Sequence, residues 1–277
     1  MPEVKSQSES SAIQPNENKP SEKTFNGYFI PAHNAKKILE GFKKGDSPLL
    51  PKNGELSPVA IYNSRTGYIL NADTLIPAQI MKQEMGYESN VVSTAFNLKD
   101  AGTQRKQGEK GLMFNYKTKD DRFQTSSYFF GDQAENPQKV AEFAAKNHLK
   151  DKKILDGISY EVKSADDYLP AYLAAAKSGM KVTVSPEITE QFKANMTAIC
   201  ENQKLAEYDK NKDKSLPKLN EYLYQCDRKS VDLVHEVAAS HNIELPKKKE
   251  PEQKNEQKKE QKRDERKFNK EEMLRGL

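Results

Sequence analysis

Arg105, Lys106 and Lys110 fall within a short stretch punctuated by Gly108 and Gly111. Such a turn exposes backbone N–H groups and cations together, which suits a phosphate backbone. Lys99 and Lys117 bracket it, and residues 99–122 hold seven basic and four acidic residues. Phe114, Tyr116, Phe123 and Tyr128 are interleaved with these charges. They offer stacking surfaces for bases wherever they face outward, although alternation along a strand sends about half of such side chains to the core. A second cluster is Arg65 and Tyr68, on the turn Asn63-Ser64-Arg65-Thr66-Gly67-Tyr68. The plain alternative for the basic stretch is a solvated hairpin connection.

Two other constellations imitate metal sites and fail on spacing. A zinc peptidase helix needs two histidines four residues apart, so that both imidazoles reach one metal. His235 is followed at that distance by Ala239, and His241 lies six residues on, about 240° around a helix. The better reading is a histidine at a helix end, near the C-terminal dipole. Asp209-Lys210-Asn211-Lys212-Asp213 resembles the start of a calcium loop, but Lys214 and Asn220 stand where a glycine and a bidentate glutamate are needed. Cys200 and Cys226 match neither a disulfide framework nor a zinc site and suit helix interiors. No metal or other cofactor is expected, and no enzyme activity.

The 277 residues are 35% hydrophobic and 31% charged, so much of the chain is not packed core. The net charge of +4 is misleading as a sum. Residues 246–270 carry eleven basic and six acidic residues, which leaves thirty-four and thirty-five for the rest. The basicity belongs to the tail, and the body is near neutral. No apolar run reaches the length of a membrane span, and the N-terminus lacks a signal-peptide core. A soluble cytoplasmic protein is expected.

The elements that must position the basic turn are an α+β N-terminal module with a small antiparallel sheet, followed by a mainly helical C-terminal part. Residues 1–24 are polar and read as disordered. The module spans 25–135. It should contain a helix over 34–42 closed by Gly41, a strand over 59–62, and a helix over 74–85 with Pro77 in its first turn. A helix over 93–101, stopped by Gly102, and strands over 112–116 and 123–130 complete it. Residues 136–245 form a helical domain. Asn136-Pro137 and Ser164 open helices, Gly179 closes one, and 181–184 is a short strand. Long helices from Ser185-Pro186 and over 217–241 should pack as an antiparallel hairpin. The tail, 246–277, is rich in Lys, Glu and Gln and is disordered or a solvated helix.

The first module resembles the N-terminal domain of the ArdC-type antirestriction proteins of plasmids and conjugative elements. Four stretches carry the resemblance in order. They are Ile38-Leu39-Glu40-Gly41-Phe42 with Gly45-Asp46-Ser47-Pro48, then Asn63 to Tyr68 followed by Asn71, then Ser93 to Gly111, then Tyr128-Phe129-Phe130-Gly131-Asp132-Gln133. The resemblance implies single-stranded DNA binding and a mobile-element context. It departs in three ways. The chain has no tryptophan, with Leu49 and Val92 where the family usually has one; Gln107 is inserted in the basic turn; and a zinc-peptidase-like second domain is not found. The expected partner is single-stranded DNA, gripped by Arg105, Lys106, Lys110, Lys99, Lys117 and Arg65 and stacked by Tyr68, Phe114 and Tyr116. A protein partner on the helical half is the main alternative, as a module that recruits or blocks a DNA-processing enzyme; a degenerate metallopeptidase is the other.

Overall fold

The computed structural model describes residues 32–117, 123–147, 153–205 and 218–245. The polar N-terminus, the connection at 118–122, the Asp209 to Asp213 stretch and the tail from 246 lie outside the described residues. The fold is α+β. Its order is α1 (Ala32–Lys44), β1 (Glu55–Leu56), β2 (Tyr62–Asn63), α2 (Ala72–Met85), β3 (Val91–Thr94), α3 (Ala95–Asp100), β4 (Leu112–Lys117) and β5 (Phe123–Phe130). A 3-10 turn, Gly131–Gln133, leads to α4 (Pro137–Lys146), β6 (Ser159–Glu161), α5 (Ala165–Ser178), β7 (Lys181–Thr183), α6 (Pro186–Leu205) and α7 (Leu219–Ser240).

Local chemistry explains most helix ends. The Asn136 side chain accepts from the Lys139 N–H and Pro137 follows at the first helical position of α4. Ser164 caps α5 in the same way and Gly179 closes it with φ 79°. Two ends differ from expectation. Gly41 lies inside α1, which runs on to Lys44 because Phe42 completes the buried stripe of Ala35, Ile38 and Leu39. Pro77 is the sixth residue of α2, not in its first turn, so it has no N–H to give the Asp73 carbonyl.

The main sheet has the order β2-β3-β5-β4. Pairs β3–β5 and β4–β5 are antiparallel, as the two-strand reading requires, but β2 pairs with β3 in parallel. The sheet is therefore mixed, since its edge strand arrives through the α2 crossover. A smaller sheet, β1-β7-β6, pairs Leu56 near the N-terminal end with Val182 far along the chain. Phe130, Val92 and Leu112 face the larger core, while Val91 and Phe129 face a smaller cluster with Leu98, Ala134, Val140 and Ala144.

The larger core crosses the expected domain boundary near 135. It joins Ile38, Phe42, Leu49 and Leu75 to Tyr168, Tyr172, Phe192 and Leu223. Tyr168 stacks on Phe192 with centroids 3.9 Å apart, and its hydroxyl donates to the Leu49 carbonyl at 2.7 Å. Tyr172 donates to Gln79 Oε1 at 2.8 Å, and Gln79 Nε2 donates to the Val59 carbonyl at 2.6 Å. These bonds satisfy polar groups that would be costly to bury alone. Helix α5, buried all round, is the hub. The expected α6–α7 hairpin gives way to a different packing: α7 lies mainly on α5 and α6 mainly on α1. An apolar stripe on each long helix predicts a buried face but not which neighbour covers it.

Leu49 and Val92 are both fully buried. The residue at either position packs the core, so the absence of tryptophan there removes no base-stacking surface.

Candidate nucleic-acid interface

The basic turn is an ordered structure clamped to the end of β5. Arg105 pairs as an isolated bridge with Ala134, the Lys106 N–H donates to the Gln133 carbonyl at 2.8 Å, and the Glu135 N–H donates to the Gln104 carbonyl at 2.8 Å. The Gln133 side chain donates to Glu109 Oε2 at 2.9 Å and to the Lys110 carbonyl at 3.0 Å, while its Oε1 accepts from the Phe130 N–H at 2.9 Å. Tyr87 donates to Glu109 at 3.4 Å, and burial followed by the Glu109 carboxylate pushes its phenol above the usual range. A Cβ on Gly111 would sit 2.7 Å from the Tyr128 carbonyl oxygen and 2.9 Å from a ring carbon of Phe129. The glycine is thus dictated by close backbone approach.

Two of the three cations are occupied in holding this clamp. Arg105 donates to the Glu109 carbonyl at 3.2 Å and its guanidinium lies 5.6 Å from the Phe129 centroid. Lys106 donates to the Asp132 carbonyl at 2.8 Å. Both remain exposed, and carbonyl partners leave their charge unneutralised. Lys110 is exposed.

The strand aromatics do not join them. Phe114 is buried and stacks on Tyr128 with centroids 4.4 Å apart. Its register partner is Ser126, so Phe114 lies on the face of Phe130, whereas Arg105 covers Phe129 on the opposite face. Phe114 is therefore a packed residue and not the base-stacking surface its place among the basic residues suggests. Tyr116 and Lys117 continue β4, with side chains outside the described residues.

The exposed aromatic and the cations meet elsewhere, around α3. Thr94 caps this short helix, its hydroxyl oxygen accepting from the Asn97 N–H at 3.2 Å. Asn97 and Leu98 turn inward, which leaves Phe96 63% exposed. Arg65 lies over its ring at 5.5 Å from the centroid and donates to Asp100 Oδ2 at 2.8 Å. Arg65 is presented by a tight turn in which Asn63 Oδ1 accepts from the N–H groups of Arg65 (2.9 Å) and Thr66 (3.2 Å), with Gly67 at φ 67°. Tyr68, on the same turn, is 56% exposed. Lys99 follows Phe96 by three residues and so shares its face of α3. A cleft of about 470 Å³ opens beside Lys99, bounded by Gly102, Thr103 and Gln104 on one side and by Glu135, Asn136 and Lys139 on the other.

Of the expected set, the structure places Arg65 over the exposed ring of Phe96 and Lys99 on the same helical face as that ring, with Tyr68 exposed on the turn that carries Arg65. Residue types at α3 did carry a signal: Phe96, Lys99 and Asp100 have the spacing of one helical face. On α7, His235 and Glu236 are both exposed, and His241 Nδ1 lies 2.9 Å from the Val237 carbonyl at the helix end. Among the described residues no group of three or more His, Cys, Asp or Glu is placed to hold a metal ion, and no helix is long and apolar enough to cross a membrane. Cys200 and Cys226 are buried free thiols, both pushed up to about 12 by burial.

No family model and no curated protein matches the sequence. Among solved structures the chain is similar to the antirestriction ArdC protein from the R388 plasmid, in its metal-free form (14% identity, TM-score 0.38, covering 77% of this chain and 98% of that one). The Mn(II)-bound form of the same protein matches at 14% identity and a TM-score of 0.34, covering 75% and 97%.

Proposed function

We propose that this chain is a non-enzymatic single-stranded DNA-binding protein, antirestriction-like and carried by a plasmid or conjugative element. The observation that carries the binding reading is Phe96, an exposed ring backed by Arg65 and flanked by Lys99. A base is attracted to such a ring by stacking, and the cations beside it meet the phosphates. In a duplex the bases are already stacked on each other, so the platform favours an unpaired strand. The fixed turn at Arg105, Lys106 and Lys110 adds positive charge without adding a stacking surface. The mobile-element context comes from the four ordered stretches that resemble ArdC-type proteins.

The test is fluorescence anisotropy with a labelled oligothymidine and a mixed-sequence duplex of equal length, at low and raised salt. The expected result is binding of the single strand, weakened steeply by salt. No binding at low salt, or equal binding of the duplex, overturns the proposal.

A further inference from the structure

We propose that the cleft between the end of α3 and the start of α4 is an anion subsite for the phosphodiester next to a base stacked on Phe96; this rests on the single-strand reading above. Three features of the cleft support it. First, Lys99 forms part of its wall and stands one helical turn from Phe96, on the same face. A strand laid on the Phe96 ring with its backbone toward Lys99 reaches the cleft mouth.

Second, a further cation is held in place on the opposite wall. Lys139 Nζ donates to the Gly102 carbonyl at 3.0 Å, which fixes the ammonium at the cleft while leaving it two further protons to donate. Gly102 has φ 73°, and a Cβ there would come 3.7 Å from that ammonium. Third, the acid that lines the cleft is engaged: Glu135 Oε1 accepts from Gln104 Nε2 at 2.9 Å. The Asn136 N–H donates to Thr103 Oγ1 at 3.1 Å, tying the two walls together. Two lysines against one engaged carboxylate leave a local positive excess in a space of about 470 Å³, roomy enough for a phosphodiester with its water.

The test compares salt titrations of oligothymidine binding by the full chain and by Lys99→Ala, Glu135→Gln and Phe96→Ala. Loss of one phosphate contact from a single strand lowers the slope of log K against log salt by about 0.7. Lys99→Ala is expected to show that flattening together with about 2- to 5-fold weaker binding at low salt. Glu135→Gln, which removes the only carboxylate lining the cleft among the described residues, is expected to bind more tightly. Phe96→Ala is expected to weaken binding with the slope unchanged. If the parent binds and neither Lys99→Ala nor Glu135→Gln changes affinity or slope, the subsite is overturned while the single-strand reading stands. If the parent does not bind at all, the single-strand reading itself fails.

Discussion

The guanidinium of Arg65 covers the ring of Phe96 at 5.5 Å from its centroid, linking the turn after β2 to the helix after β3. The parallel β2–β3 pair sets the two in register, with Asn63 opposite Val92. Beneath them the Ser93 hydroxyl donates to Ser64 Oγ at 2.6 Å, both residues fully buried. The exposed platform is therefore built on fixed backbone.

Asp100 and Arg65 should have opposite effects on binding. The Asp100 carboxylate pairs with Arg65 at 2.8 Å on the exposed surface, where it offsets the charge offered to phosphate. Asp100→Asn is expected to tighten single-strand binding at low salt, and Arg65→Ala to weaken it, each by about 2- to 10-fold. Parallel anisotropy titrations check the signs. Because both side chains are exposed, thermal stability should hardly move.

Gly111→Ala should destabilise the fold by about 1–3 kcal/mol, the usual range for forcing an atom into a packed site. The obstacles are the Tyr128 backbone and the Phe129 ring, neither of which gives easily. Gly108→Ala is the contrast: φ is 84° but no atom lies within 4 Å, so only backbone strain of about 1–2 kcal/mol applies. Urea midpoints of the two variants measure the difference.

Asp73 predicts a pH dependence. Burial, reinforced by the neighbouring Asp227 carboxylate, raises its pKa to about 7, against the lowering effect of Thr74, whose hydroxyl donates to it at 3.3 Å. Asp227 is itself held by Lys177 at 2.8 Å and accepts from the Ala72 N–H at 3.2 Å. A carboxyl whose folded pKa exceeds its unfolded value favours the folded state most at low pH. This stabilisation is lost as pH rises from about 4 to about 7. Asp73→Asn should flatten the stability profile over that window. At pH 8 it should raise Tm by at least about 2 °C, the shift that 1 kcal/mol produces in a domain of this size. Thermal melts across the range provide the check.

A fragment ending near residue 135 should not fold by itself. It would expose Leu49, Leu75 and Phe42, which the complete chain buries against Tyr168, Tyr172 and Phe192. It would also leave β1 without its partner β7. Circular dichroism of residues 25–135 should show no cooperative unfolding transition, in contrast to the full chain.

Helix ends were legible in the sequence where the controlling bond is local, as at Asn136, Ser164 and Gly179. Elements that depend on distant partners were not. Val91 to Thr94 is one of the two interior strands of the main sheet, yet its four residues run straight into α3, and Ser93 reads as a helix start. Pairing with β2 on one side and with Phe130, Phe129 and Tyr128 of β5 on the other makes it a strand. The basic turn was legible as a turn, but the commitment of Arg105 and Lys106 to carbonyl groups was not, because Lys106 finds its partner at Asp132. The outward placement of Phe96 is only weakly legible: its spacing to Lys99 and Asp100 fits one polar face, but a six-residue helix offers little periodicity to separate an outward phenylalanine from a core one.

The chain has no tryptophan, so Phe96→Trp places a single indole on the platform. The decisive measurement is its emission during titration with oligothymidine at low salt. Stacking of a base on position 96 predicts strong quenching that tracks the anisotropy change and reverses on adding salt. Full binding by anisotropy with unchanged indole emission would contradict the account.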